Sequence, residues 1–206
     1  MPASPDKKFK IPLWMKLIYS LMLAVIIPVY WHKHGPANFL WFSDIALLAM
    51  LLALWLENAL IASMMAVGVL PFEAMWLIDF LTGGPMGLAD YMFGAGNMPV
   101  YLRVLSGFHF ILPVVIIYSV YTLGYDKRAL PAQIILALII LPLTYYFTVP
   151  SDNINWVYGL DGKQETMHPL LYLGLLMTGM PLLIHIPMHY LLTKVMPSVR
   201  TQPHVN

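Results

Sequence analysis

The chain has 206 residues, 60% hydrophobic and 10% charged, with a net charge of +1 and no cysteine. A soluble domain carries about 25% charged residues, and here the mean hydropathy is +0.73, the composition of an integral membrane protein. These values exclude a nucleic-acid partner, since no basic stripe exists to neutralise phosphates. They also exclude disulfides, thiolate metal sites and a cysteine nucleophile.

Lys7, Lys8 and Lys10 precede the first apolar run, residues 11–31. A transmembrane helix takes about 20 mostly apolar residues, and no small-x-small cleavage site follows this run. It reads as a retained first helix in preference to a cleaved signal. His32-Lys33-His34-Gly35-Pro36 ends it. The second span, residues 38–56, carries Ser43 and Asp44 in its first turns. An ionisable group in hydrocarbon costs roughly 2.5–3.5 kcal/mol on insertion scales and marks a functional position by default. Glu57-Asn58 then reads as a tight hairpin with a solvated charge. The third span, 59–80, is broken by Pro71; Glu73 after it could face the polar pocket, but it and Asp79 near the end of the span read preferentially as interfacial.

Residues 82–99 are rich in glycine and aromatic side chains and hold no Lys or Arg, which suggests a re-entrant or interfacial segment. The fourth span, 100–121, carries Ser106 and His109 three residues apart on one face. The fifth is 130–149. In the long loop 150–168, the stretch 152–156 reads as a hydrogen-bonded turn in preference to a lid. The sixth span, 169–192, carries His185-x3-His189. No repeat or second domain is visible. The expected architecture is therefore all-α, with six transmembrane helices in one domain over 1–206 and short polar tails at 1–10 and 195–206.

With six spans, Lys7, Lys8, Lys10, Lys16, Lys127, Arg128, Lys194 and Arg200 share one face. Only Lys33, Arg103 and Lys163 fall on or near the other. The positive-inside rule then makes both termini cytoplasmic.

Ser43 and Asp44 lie near the non-cytoplasmic end, and His109 lies about ten residues from it, or ~15 Å at 1.5 Å per residue. The loops add His32, His34, Asp152, Asn153, Asn155 and His168. A Ser, a His and an Asp in one membrane cavity suggest nucleophilic acyl chemistry, with the His as base. Asn38, Trp41, Ser106, Asn153 and Asn155 are the candidate substrate contacts. From residue types alone, structural roles are the preferred reading for these groups. Ser43 then bonds its own helix backbone, Asp44 caps its helix or pairs with Arg103, and His109 is an interhelical contact. His185 and His189, spaced i,i+4, could ligate a metal with His109 as third ligand. Depth counting opposes this, because His185 lies about six residues, or ~9 Å, deeper than His109. Trp31, Trp41, Trp76 and Trp156 are spaced as an aromatic belt would be, and no cofactor is called for.

The stretches HGPANFLWFSDIALL, LGYDKRALPAQ and SDNINWVYG resemble a family of small bacterial membrane-associated proteins of uncharacterised function, which implies a bacterial inner membrane. LWFSDIAL and LSGFHFIL are more distantly similar to the YwaF-like six-helix membrane proteins, whose relatives include lipid acyltransferases. That family has a helix-two motif of the form LPLHLCDL and a helix-four His in a context like FLSHG. Ser43 stands at its Cys, Asp44 at its Asp and His109 at its His. NINWVYG and MHPLLYL look like its later motifs, and the androgen-induced lipid-ester hydrolases look similar in layout. The resemblance implies a membrane lipid hydrolase or acyltransferase acting on membrane lipids, with Ser43 as nucleophile and His109 as base. Ser in place of Cys needs stronger base assistance. A small transporter or ligand-binding protein is the alternative, and a metal-dependent hydrolase using His109, His185 and His189 is the third.

Overall fold

A computed structural model describes residues 10–199; the expected tails at 1–10 and 195–206 lie largely outside them. Among the described residues the chain is helical, and the only strand-like pairing is an isolated bridge between Tyr125 and Ser198.

Helix α1, Leu13–His34, runs without interruption despite Pro28. Gly35, at φ 78°, ends it and a 3-10 turn, Pro36–Leu40, follows. Helix α2, Phe42–Leu56, therefore starts later than the sequence suggests and has 15 residues. The third span divides into α3, Ala59–Gly68, and α4, Leu70–Leu81, bent by 49°. Pro71 lies in the first turn of α4, where its missing N–H leaves no broken bond. The fourth comprises α5, Val100–Ser106, and α6, Phe108–Leu123, which continue one another across Gly107. Helix α7 is Ala129–Phe147. The last span comprises α8, Pro169–Met180, a π-helical turn, Pro181–His185, and α9, Ile186–Val195. Pro181 and Pro187 each remove a backbone donor, the usual origin of such irregular turns.

By length and hydropathy, four helical stretches can cross a bilayer, and the bent α3–α4 pair makes a fifth. Helix α2 is apolar but shorter. Large apolar side chains face outward, among them Leu17, Leu21, Val104, Val114, Tyr121 and Leu183. Together they form the surface that hydrocarbon would cover.

Helix α3 is the centre of the bundle and packs on α2, α6 and α7. Its buried face is small, with Ala62, Ser63, Ala66 and Gly68, so neighbouring backbones approach closely. Gly68 is pressed against the buried Gln133 of α7.

One end of the bundle gathers distant parts of the chain. Glu57 turns the chain between α2 and α3 at φ 50°, and Asn58 caps α3 through a bond from Ile61 N, 3.0 Å. The Glu57 carboxylate is not simply solvated. It accepts hydrogen bonds from Lys10 N, Ile11 N and Lys16 Nζ at 3.1, 2.9 and 3.0 Å. One turn into α3, Ser63 Oγ accepts from Asp126 N. Tyr125 N donates to Pro197 O, and Val199 N to Tyr125 O. The start of α1, the α2–α3 and α6–α7 turns and residues 197–199 thus meet near the beginning of α3. The opposite end holds the turn 36–40 and the loops 82–99 and 148–168.

Candidate functional site

The break between α3 and α4 sets Glu73 in the first turn of α4, where the helix dipole favours a carboxylate. Its side chain is 2% exposed and meets His109, at the start of α6, with 2.8 Å between Oε2 and Nδ1. Where the Glu73 carboxylate accepts this bond, the imidazole proton lies on Nδ1 and Nε2 is the basic nitrogen. Nε2 has no partner among the described residues and is not fully buried, and His109 lines a cavity. Trp76, one turn beyond Glu73, stacks on the imidazole at 4.5 Å between centroids and 19° between planes. Trp76 Nε1 in turn donates to the Tyr91 hydroxyl at 3.1 Å. Burial pushes that hydroxyl up to about 12, so Tyr91 stays protonated.

The facing wall is the start of α2. The preceding 3-10 turn and Trp41 leave backbone groups without helical partners, and Asn155 of the distant loop satisfies two of them. Its Oδ1 accepts from Phe42 N at 3.0 Å and its Nδ2 donates to Leu40 O at 2.7 Å. Ser43 and Asp44 follow. Asp44 is 3% exposed, and its Oδ2 accepts from Asn38 Nδ2 at 3.1 Å. Its Oδ1 has no partner.

Between these walls lies a cavity of about 420 Å³, a volume typical of small-molecule sites. Tyr30 and Ser106, hydrogen-bonded at 3.0 Å, close one side. Gly87, Leu88 and Tyr91 of loop 82–99 close another. Asp79 fixes that loop: fully buried at the end of α4, it accepts from Met86 N, Leu88 N and Ala89 N at 2.6, 2.7 and 2.7 Å. Among the described residues, no Lys or Arg lines the cavity.

Ser43, Asp44, His109, Asn38, Trp41, Ser106 and Asn155 all line this one cavity, as does His34. Other expectations are corrected. Asn153 is not in the wall, because its side chain donates to Gly159 O and accepts from Tyr158 N within its own loop. His168 caps α8 by accepting from Leu170 N. Asp44 neither caps α2 through its side chain nor pairs with Arg103, whose Nη1 donates to Met92 O. The carboxylate beside His109 is Glu73, expected at the interface. Asp79, also expected there, is buried within the fold.

The three histidines proposed as metal ligands are not brought together. His109 is bonded to Glu73, and His189 Nδ1 to the Tyr125 hydroxyl at 2.7 Å near the other end of the bundle. His185 is fully buried with neither ring nitrogen partnered. Among the described residues, no group of three His, Asp or Glu side chains is arranged to hold a metal.

Tyr30, Phe72, Trp76 and Tyr91 are cavity residues that sequence reasoning did not select, and Glu73 was weighed for the pocket but placed at the interface. For Glu73 the signal was present, a carboxylate inside an apolar run after a helix-breaking proline. Chemically, the arrangement supplies an oriented imidazole base, two buried carboxylates and serine hydroxyls around an aromatic-walled space. No protein-family model, curated protein or solved structure matches the chain.

Proposed function

We propose that this chain is a multi-pass membrane lipid-ester hydrolase or acyltransferase, with Ser43 as nucleophile, His109 as general base and Glu73 as the residue that orients it. The observation carrying the reading is the Glu73–His109 bond, with Nε2 left free in a cavity that Ser43 also lines. In the reaction, His109 Nε2 takes the proton of Ser43 Oγ as Oγ attacks the ester carbonyl. The imidazolium forms beside the Glu73 carboxylate, which stabilises it. His109 then gives the proton to the departing alcohol. Water or a second alcohol, activated by the same nitrogen, releases the acyl group from Ser43. Ser43 and His109 are not hydrogen-bonded to each other among the described residues, and such catalytic bonds often tighten only when substrate is bound.

The topology proposed with this reading counts α2 as a sixth span and puts both ends in the cytoplasm of a bacterial inner membrane. The meeting of residues 10–11 with the α2–α3 turn, and of residues 197–199 with the α6–α7 turn, supports it.

A fluorophosphonate probe tests the chemistry. Labelling is expected at Ser43, absent from Ser43→Ala and slowed about 10²–10⁴-fold in His109→Ala. Labelling that persists in Ser43→Ala overturns the assignment.

The second reading is a small transporter, favoured by the 49° break of α3–α4 beside a buried carboxylate. Protein-dependent solute accumulation in proteoliposomes, undiminished in Ser43→Ala, would select it.

A further inference from the structure

We propose that the cavity binds an alkylammonium cation, with Asp44 as its counter-ion and the aromatic walls as its cage. The inference goes beyond ester chemistry and does not depend on whether Ser43 reacts.

Asp44 supplies the first observation. It is 3% exposed, its Oδ2 is held by the neutral amide of Asn38, and its Oδ1 is buried with no partner among the described residues. A buried carboxylate is stable as an anion only when paired or fully hydrogen-bonded. Nothing within the wall does this. Glu73 is committed to His109, and neither Lys nor Arg lines the cavity. Lys33, Arg103 and Lys163, the basic residues expected at this end of the bundle, are all outside the lining.

The second observation is the walls. Trp156 packs edge-on against Trp41 at 5.9 Å and lies at 5.6 Å from Phe72. Tyr91 and Phe108 continue the lining, as does Trp76, whose ring already stacks on His109 and Phe80. Aromatic faces attract a cation through the ring quadrupole, and aromatic cages recognise quaternary ammonium groups in this way.

The two observations together narrow the ligand. An anion would face two carboxylates with no Lys or Arg to receive it. A wholly neutral ligand would give the Asp44 carboxylate no counter-charge and leave the buried carboxyl protonated. A bare metal ion would find one uncommitted carboxylate in a space of about 420 Å³, with no three-ligand group. An organic ammonium supplies the charge to Asp44 and the apolar surface to the rings. It could arrive as a free solute or as the headgroup of a membrane lipid.

Titration calorimetry on the full chain in a maltoside detergent, which carries no ammonium group, tests this with two probes. Choline and 3,3-dimethylbutan-1-ol are nearly the same shape, but only choline is charged. Choline is expected to bind at least tenfold more tightly. Asp44→Asn, nearly isosteric, should abolish that preference, and Trp41→Leu should reduce choline affinity at least threefold. Equal binding of the two probes, no choline binding, or an unchanged preference in Asp44→Asn overturns the proposal. The comparison of probes on the unmodified chain stands even where a variant does not fold. Repeating the choline titration in nanodiscs of phosphatidylglycerol, with and without phosphatidylcholine, distinguishes the sources. Competition by phosphatidylcholine assigns the headgroup as occupant, and its absence assigns a soluble cation. Binding is read without turnover, so it stands or falls separately from labelling of Ser43.

Discussion

Glu73 and His109 lie 36 residues apart and meet at 2.8 Å between Oε2 and Nδ1, with the carboxylate buried. Glu73→Gln keeps the shape but removes the charge that fixes the proton on Nδ1. An amide N–H can donate to Nδ1 instead and shift the proton to Nε2. The expected result is a fall of about 10²-fold in fluorophosphonate labelling of Ser43, with thermal stability in detergent little changed. His109→Leu is expected to behave differently. It strands a buried carboxylate and should destabilise the fold by about 3–5 kcal/mol, read as a lower unfolding midpoint.

Asp79 accepts hydrogen bonds from the backbone of residues 86, 88 and 89. Asp79→Asn replaces one accepting oxygen with a donor facing donors. A charge-assisted bond contributes about 1.5–3 kcal/mol, so loop 82–99 should loosen locally. Limited proteolysis checks this: cleavage within 82–99 should speed up at least tenfold. Ligands of the cavity should weaken with it, because Gly87, Leu88 and Tyr91 form part of its wall.

At Gly68 a methyl group would overlap the buried carboxamide of Gln133, whose nitrogen and oxygen both lack partners. Gly68→Ala is expected to cost about 1–3 kcal/mol, the range for overpacking. Gln133→Ala added to it should restore most of that loss, giving a clear coupling term in a double-mutant cycle. Thermal unfolding of the two single variants and the double variant in detergent measures it.

Much of the fold was legible because membrane helices announce themselves by length and hydropathy. The break at Pro71 could also be read, since proline fits the first turn of a helix far better than its interior. Glu73 was visible as a charge in an apolar run, but its partner was not. Nothing local to α4 points to a histidine on α6, so an interfacial position seemed the cheaper one. Asn155 was legible only as a turn residue, because the groups it satisfies, Leu40 O and Phe42 N, lie over 100 residues away. Ser43, Asp44 and His109 were found from depth along their helices. Depth says nothing of rotation about the helix axis, so it could not show which groups Asp44 faces. Asn153 was chosen for its polarity, and its own loop absorbs both of its polar atoms.

Glu57 carries a pH dependence that can be measured. Burial alone would raise its carboxyl, but the amides of Ile11 and Lys10 and the Lys16 ammonium outweigh this and hold it below its ordinary value near 4.5. A carboxyl lowered on folding stabilises above its unfolded pKa and loses that contribution as pH falls through its folded one. Stability should therefore decline as the pH drops below about 4.5 and on past the folded value. Glu57→Gln should lower stability near neutral pH by about 1.5–3 kcal/mol and flatten the acid decline. Unfolding midpoints between pH 3 and 7 check both.

Trp76 gives the imidazole an optical voice. The two rings are stacked at 4.5 Å, and a protonated imidazole quenches a neighbouring indole by accepting an electron from its excited state, whereas a neutral one quenches far less. The emission lost in Trp76→Phe therefore reports the charge of His109 in the resting protein. Any occupant that changes that charge will change the same signal, before a substrate is known and without a label.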